Sequence, residues 1–324
     1  MEKETRRPWR RWVVLVLMIA GFILGGIFVP VQPEITVAAE KLIEEPIVEN
    51  FLGFGPLYLV NTIPTLAVTL VLLIVIAFFT NRSLKQSAQT DLVPRGIGNL
   101  MEAILEMLYN LTEGSAGKYA KMIFPWFATI MIYVLFANLL KLIPGFESIG
   151  VLHPHGGEHG SELHGWQIYG PELSHDYILA PFFRGISVDL NFTVSLALIA
   201  VVMIQVIGFR AQGLGYLSKF FNTKRMFKVP FFGAMDFLVG LLELISELSK
   251  ILSFAFRLFG NMFAGIVLVA IVAGLLGKIS ILPAMVMMFE LFVGVIQAFV
   301  FGMLTMVFMA QATQGHGDEH AEAH

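Results

Sequence analysis

The sequence predicts an all-α, multi-pass membrane protein of about six membrane helices, the last two long, steeply tilted and paired as an antiparallel hairpin. Three observations point to it. Of the 324 residues, 56% are hydrophobic and only 14% charged, where a soluble domain carries about 25% charged residues. Several apolar runs reach the roughly 18 residues that cross a hydrocarbon core. The segments between those runs alternate between basic and acidic, as the two sides of a membrane do.

Residues 1–11, "MEKETRRPWRR", form a basic N-terminus, followed by an apolar anchor at 12–30 centred on Trp12–Val29. A basic stretch before an apolar run also fits a signal sequence. The 18-residue apolar core is long for one, and "VAA" at 37–39 lies far from it, so the span is read as a retained anchor. Residues 31–55 are an outer segment in which Lys41 stands alone against five glutamates. A core at 56–313 then holds spans at Pro56–Thr80, Ile123–Ile143, Leu190–Phe209, about Phe232–Leu276 and Ile279–Ala312, before a His-rich tail at 314–324.

Orientation follows from the linkers. One carries Arg82, Lys85, Arg95, Lys118 and Lys121; another carries Arg210, Lys219, Lys224, Arg225 and Lys228. The segment 144–189 has Arg184 as its only basic residue besides histidine. Lys and Arg concentrate in cytoplasmic loops, which puts both termini and the basic linkers in the cytoplasm.

The last two segments exceed what a bilayer needs. At 1.5 Å per residue they extend about 67 Å and about 51 Å against a core of about 30 Å, so each breaks or tilts. The link between them is only "GKIS", which makes them an antiparallel hairpin.

Glu243, Glu247, Lys250, Arg257 and Asn261 fall at spacings of 4, 3, 7 and 4 on the first of these helices. At about 100° per residue they share an arc of about 80°, one polar stripe on an apolar rod. Pairing of Glu243 or Glu247 with Lys250 accounts for part of the stripe. It does not account for Arg257, whose guanidinium cannot shed its proton and costs about 2.5–3.5 kcal/mol or more at mid-membrane. On the second helix Gln297 falls at a similar depth, with Glu290 two turns towards the outer end. Intramembrane ionisable groups in such an array mark an ion pathway. No carboxylate of this chain falls at the depth of Arg257, so its partner charge is expected on another subunit.

Other chemistry is thinly represented. The absence of cysteine removes disulfides, thiolate metal sites and cysteine nucleophiles. Neither a nucleic-acid motif nor a cofactor-binding motif is found. "HPHGGEHGSELHGW" at 153–166 offers a metal site or a proton-collecting surface, but reads first as a solvated insertion. His316, His320 and His324 in the tail are likewise read as a plain extension, and no metal site is assigned.

"LSFAFRLFGNMFAG" at 252–265 followed by "VIQAFVFGMLTMVFM", with "NLLKLIPGF", "VDLNFTVSLAL" and "LLELISELSK", closely resembles subunit a of the F-type ATP synthase membrane sector over roughly residues 50–313. The resemblance implies a non-catalytic, proton-conducting stator subunit of the cell inner membrane. Its partners would be a ring of c subunits, each with one membrane carboxylate, the b-type peripheral stalk subunits and membrane lipid; no cofactor is implied. Protons would enter by one aqueous half-channel, ride the ring and leave by another. Arg257 matches the family's essential arginine, which keeps the passing ring carboxylate ionised and prevents a short circuit between half-channels. Gln297 matches the glutamine beside it. Asn261 and Glu290 match the outer, entry half-channel, Glu243 the cytoplasmic side with Glu247 nearby, and Ser253 and Asn138 further lining positions. For Ser253 and Asn138 an interhelical hydrogen bond is an equal alternative.

Three departures stand out. Ile266 lies where many relatives carry glutamate or histidine, Lys141 lies where the residue is usually small or acidic, and the basic N-terminal span is not general. The competing function is a stand-alone secondary transporter with Arg257 as its anion site, though no inverted repeat or broken helix supports it. A purely structural membrane scaffold would have no use for a buried arginine.

Overall fold

The computed structural model describes residue 12 and residues 39–42, 46–49, 53, 55–87, 96–143, 146, 150–154, 177–220, 230–276 and 282–314. Apart from Trp12, the anchor expected at 12–30 lies outside the described residues, as do most of the His-rich outer loop and of the tail. Six long helices follow: α1 (Thr62–Ser87), α2 (Ile97–Ala116), α3 (Ala120–Leu140), α4 (Leu190–Gln212), α5 (Pro230–Leu276) and α6 (Leu282–Thr313). One antiparallel strand pair, β1 (Gly150–Pro154) with β2 (Tyr177–Pro181), closes the long connection between α3 and α4. By length and composition, five segments among the described residues can cross a membrane: Thr62–Ser87, Ile97–Leu140, Leu190–Leu217, Leu238–Val272 and Met285–Thr313.

The spans expected after the anchor are all helical, with shifts that have local causes. Helix α1 starts at Thr62 rather than Pro56, because 57–60 are extended and bridge back to Lys41 and Val48. Pro64 falls in the first turn, where its missing N–H has no partner to lose. The helix runs past Thr80 to Ser87, with Lys85 in its last turn, where a positive charge suits a helix C-terminus.

Helix α2 was not anticipated, since Glu102, Glu106 and Glu113 dilute its hydropathy within a linker read as simply basic. Its apolar residues recur at helical spacing. Leu108 is fully buried, and Ile104, Leu105 and Leu111 pack on the same core.

The break-or-tilt alternative for α5 is settled on the first count: it is one continuous helix of 47 residues, with no proline after Pro230. Helix α6 runs antiparallel to it. Lys250 lies over the Phe308 ring, Phe254 packs on Phe301, Asn261 bonds to Gln297, and Gly265 sits against Glu290. As the numbering climbs on one helix it falls on the other.

The core lies where α3, α4, α5 and α6 meet. Ile130, Val134, Leu196, Ala200, Phe254, Leu258 and Phe301 form one buried cluster. Leu108, Phe127, Ile204, Ile207, Met306 and Met309 form a second, further from the strand pair. The far end is tied by Gln212, whose Nε2 donates to the Ala312 carbonyl (2.9 Å) and the Gln314 carbonyl (2.8 Å). The Ala312 carbonyl lies in the last turn of α6 and the Gln314 carbonyl just beyond it, so neither has a partner within the helix.

The end nearer the strand pair is tied by Asp189. One carboxylate oxygen caps α4 by accepting the Asn191 N–H at 2.9 Å, and the other accepts the Thr62 hydroxyl at 3.0 Å. Arg184 N donates to Thr65 Oγ1 at 3.1 Å alongside. Asp189 is buried, so its loss removes a cap and orphans a buried hydroxyl. Asp189→Ala is expected to lower stability by about 2 kcal/mol, read as an earlier thermal melt in detergent. Asp189→Asn, which keeps an acceptor, should recover most of the loss.

Candidate functional site

Arg257 sits near the middle of α5, half-buried, with its Nη2 donating to Ser253 Oγ at 3.1 Å one turn away. Among the described residues no carboxylate lies within ion-pairing distance of it. The residues around it on α5 are small and exposed: Ser246, Ser249, Ser253, Gly260 and Ala264. Farther round the helix, Leu241, Ile245, Leu248, Leu252 and Phe256 also face outward. Buried Phe254, Ala255, Leu258 and Met262 hold the opposite face against the bundle. The polar stripe thus runs along the border between the packed and the open side of α5.

From Arg257 towards the strand-pair end, polar groups succeed one another across three helices. Asn261 Nδ2 donates to Gln297 Oε1 at 2.6 Å, joining α5 to α6. Gln297 is 3% exposed, and its Nε2 has no hydrogen-bond partner. One turn back along α6, the Gly294 carbonyl accepts from Asn138 Nδ2 of α3 at 3.0 Å, while Asn138 Oδ1 is buried without a hydrogen bond. Asn138 therefore makes the interhelical bond that was one of its two readings, and presents a spare acceptor beside it.

Glu290, one further turn along α6, is buried. Its carboxylate lies where Gly265 of α5 leaves room; any Cβ at Gly265 would collide with it. Lys141 Nζ, just past the end of α3, comes to 3.7 Å from Glu290 Oε1. Ile266, the position without an ionisable group, packs against the hydrophobic core.

Towards the other end of α5, Lys250 Nζ donates to Glu247 Oε1 at 2.9 Å and sits 4.7 Å from the Phe308 ring centroid. This is the intrahelical i,i+3 pair that the spacing suggests. Glu247 is buried, and Glu243, one turn before it, is half-buried.

Of the eight sequence-predicted residues, Asn261 with Gln297 and Asn138 with Gly294 join helices directly, Glu290 of α6 meets Gly265 of α5, and Arg257 bonds Ser253 of its own helix. Two contributors escaped the sequence reading. Lys141 stood out as a departure but nothing in the local sequence tied it to Glu290, and Gly265 is legible only once its neighbour across the hairpin is known. Among the described residues no cluster of three or more His, Cys, Asp or Glu occurs; most of the His-rich loop and tail lies outside them.

Comparison with known proteins bears on the same region. The pattern of the family described as ATP synthase A chain matches residues 64–310, from the first turn of α1 to the last turn of α6. Campylobacter jejuni has a relative named ATP synthase subunit a that is 32% identical over 251 residues, 75% of this chain and 87% of its own. A subunit a of Moorella thermoacetica is 28% identical over 263 residues, covering 81% and 94% of the two chains. One from Lysinibacillus sphaericus is 28% identical over 285 residues, covering 86% and 99%. With most of its length matched, and with helices long and apolar enough to span a membrane, the chain belongs to the F-type ATP synthase subunit a family.

Proposed function

We propose that this chain is the proton-conducting stator subunit of a rotary ATP synthase, lying in the cell membrane with both termini cytoplasmic and making no or breaking no covalent bond itself. The observation that carries the reading is Arg257: a permanent cation in an apolar helix, bonded to Ser253 and facing no carboxylate among the described residues. A guanidinium in hydrocarbon needs a counter-charge or water. The small exposed side chains beside it, Ser246, Ser249, Ser253, Gly260 and Ala264, allow another helix to come close. A ring of c subunits, each bringing one carboxylate, supplies both the helix and the charge.

On this reading an arriving ring carboxylate loses its proton because a cation beside it favours the ionised form. The released proton leaves along Glu243 and Glu247 to the cytoplasm during synthesis. The next ring site is loaded from the outside through Glu290, Asn138, Gln297 and Asn261. Arg257 separates the two routes electrostatically, so that protons cross only by riding the ring. Ser253 steadies the guanidinium from one turn away. The long, open apolar side of α5 lies against the ring, and the b-type stalk subunits hold the chain against rotation.

The reading is tested by ATP-driven proton pumping into inverted membrane vesicles, after checking that the complex assembles. Arg257→Ala should abolish pumping; pumping near the wild-type rate would remove Arg257 from the mechanism. Gly265→Ala probes the entry route. The added methyl should displace the Glu290 carboxylate, at a packing cost of about 1–3 kcal/mol, and slow pumping several-fold. Gly114→Ala, in open space on α2, should leave it unchanged.

A further inference from the structure

We propose that Lys141 is the positioning residue of the entry route, the fixed counter-charge that holds the Glu290 carboxylate in place between three helices. This rests on Glu290 being the entry carboxylate. Lys141 Nζ lies 3.7 Å from Glu290 Oε1, with side-chain exposures of 3% and 9%. That is ion-pair range but too long for a hydrogen bond, and Oε1 accepts none. The carboxylate is therefore held by charge and by shape. Gly265 of α5 closes one side, and a Cβ there would collide with the carboxylate and displace it. The stem of Lys141 passes close against Gly185, where an added Cβ would stand only 3.1 Å from Lys141 Cβ.

A buried carboxylate without a counter-charge is costly, and so is a buried ammonium. The two groups come from segments far apart in sequence, and each makes the other tolerable. Ile266, the α5 residue next to Gly265, is apolar and packs against the core, so it brings no charge to Glu290. The basic group of Lys141 places Glu290. It does so from the end of α3, so the position of the entry carboxylate depends on the α3–α6 packing as well as on the α5 backbone at Gly265.

The test uses the assembled ATP synthase in inverted vesicles and, separately, the purified complex. Lys141→Met should cut ATP-driven pumping at least about tenfold, because a displaced or orphaned carboxylate no longer meets its neighbours. Lys141→Arg, which keeps the charge, should retain most of it. In the purified complex Lys141→Met should also bring thermal dissociation to a lower temperature, and adding Glu290→Gln should restore most of that loss, since the orphaned charge is then gone. Wild-type pumping in Lys141→Met would overturn the proposal, as would additive losses of stability in the double variant. Arginine as damaging as methionine would also overturn it, pointing instead to a proton that passes through the lysine itself. If Lys141→Met fails to assemble, Lys141→Gln reads the same point. A Glu290→Gln variant that pumps normally would sink the entry-site reading instead, whatever Lys141 does.

Discussion

Inside hydrocarbon, a polar side chain has no water to fall back on, and every such group must meet a partner from the protein. Much of the packing of this molecule follows from that requirement. Asn138 reaches the Gly294 carbonyl, Asn261 meets Gln297, Lys141 meets Glu290, and Lys250 has both Glu247 and the Phe308 ring. All four matches cross from one helix, or from its end, to another, that of Lys250 through the Phe308 ring. They fix the register of α3, α5 and α6 more tightly than apolar contact would, because apolar surfaces slide past one another at little cost in a lipid-like setting. Arg257 is the exception, with Ser253 of its own helix as its hydrogen-bond partner.

The apolar packing is arranged around those matches. Phe254, Leu258 and Phe301 seal the contact between α5 and α6 beside the polar stripe, while Gly265 gives up its side chain to the Glu290 carboxylate. At the two ends of the bundle the loose backbone groups are gathered by side chains: Asp189 at the start of α4 and Gln212 at the end of α6. The middle can then afford unfilled hydrogen-bonding capacity at Asn138 Oδ1 and Gln297 Nε2, both buried. In a site that passes protons through water, such capacity is where water would bind.

Much of this was legible in the sequence, for reasons that differ by element. Hydropathy alone located α1, α3, α4, α5 and α6, because long apolar runs have few other uses. Periodicity put Glu243, Glu247, Lys250, Arg257 and Asn261 on one side of α5, and the short link "GKIS" made the hairpin. Helix α2 escaped because an amphipathic helix with three glutamates has neither the hydropathy of a span nor the composition of a loop. The Lys141–Glu290 pair escaped because it joins the end of α3 to α6, and no local pattern encodes a contact of that separation. The roles given to the individual residues came from family resemblance; spacing foretold the Glu247–Lys250 pair, and the structure supplied the partners across helices.

The unbroken course of α5 has a mechanical meaning. Helices bend sharply at prolines, at glycine–serine pairs or at bulges, and a 47-residue helix without a proline after its first residue has no hinge of the first kind near Arg257. A sideways push at its middle is therefore spread along the rod and delivered to its ends and to α4 and α6, against which it packs. Such a part behaves as a stiff abutment rather than a spring. Load placed on the exposed side of α5 would then be felt at the packed side and the ends of the helix, with little of it taken up by local bending.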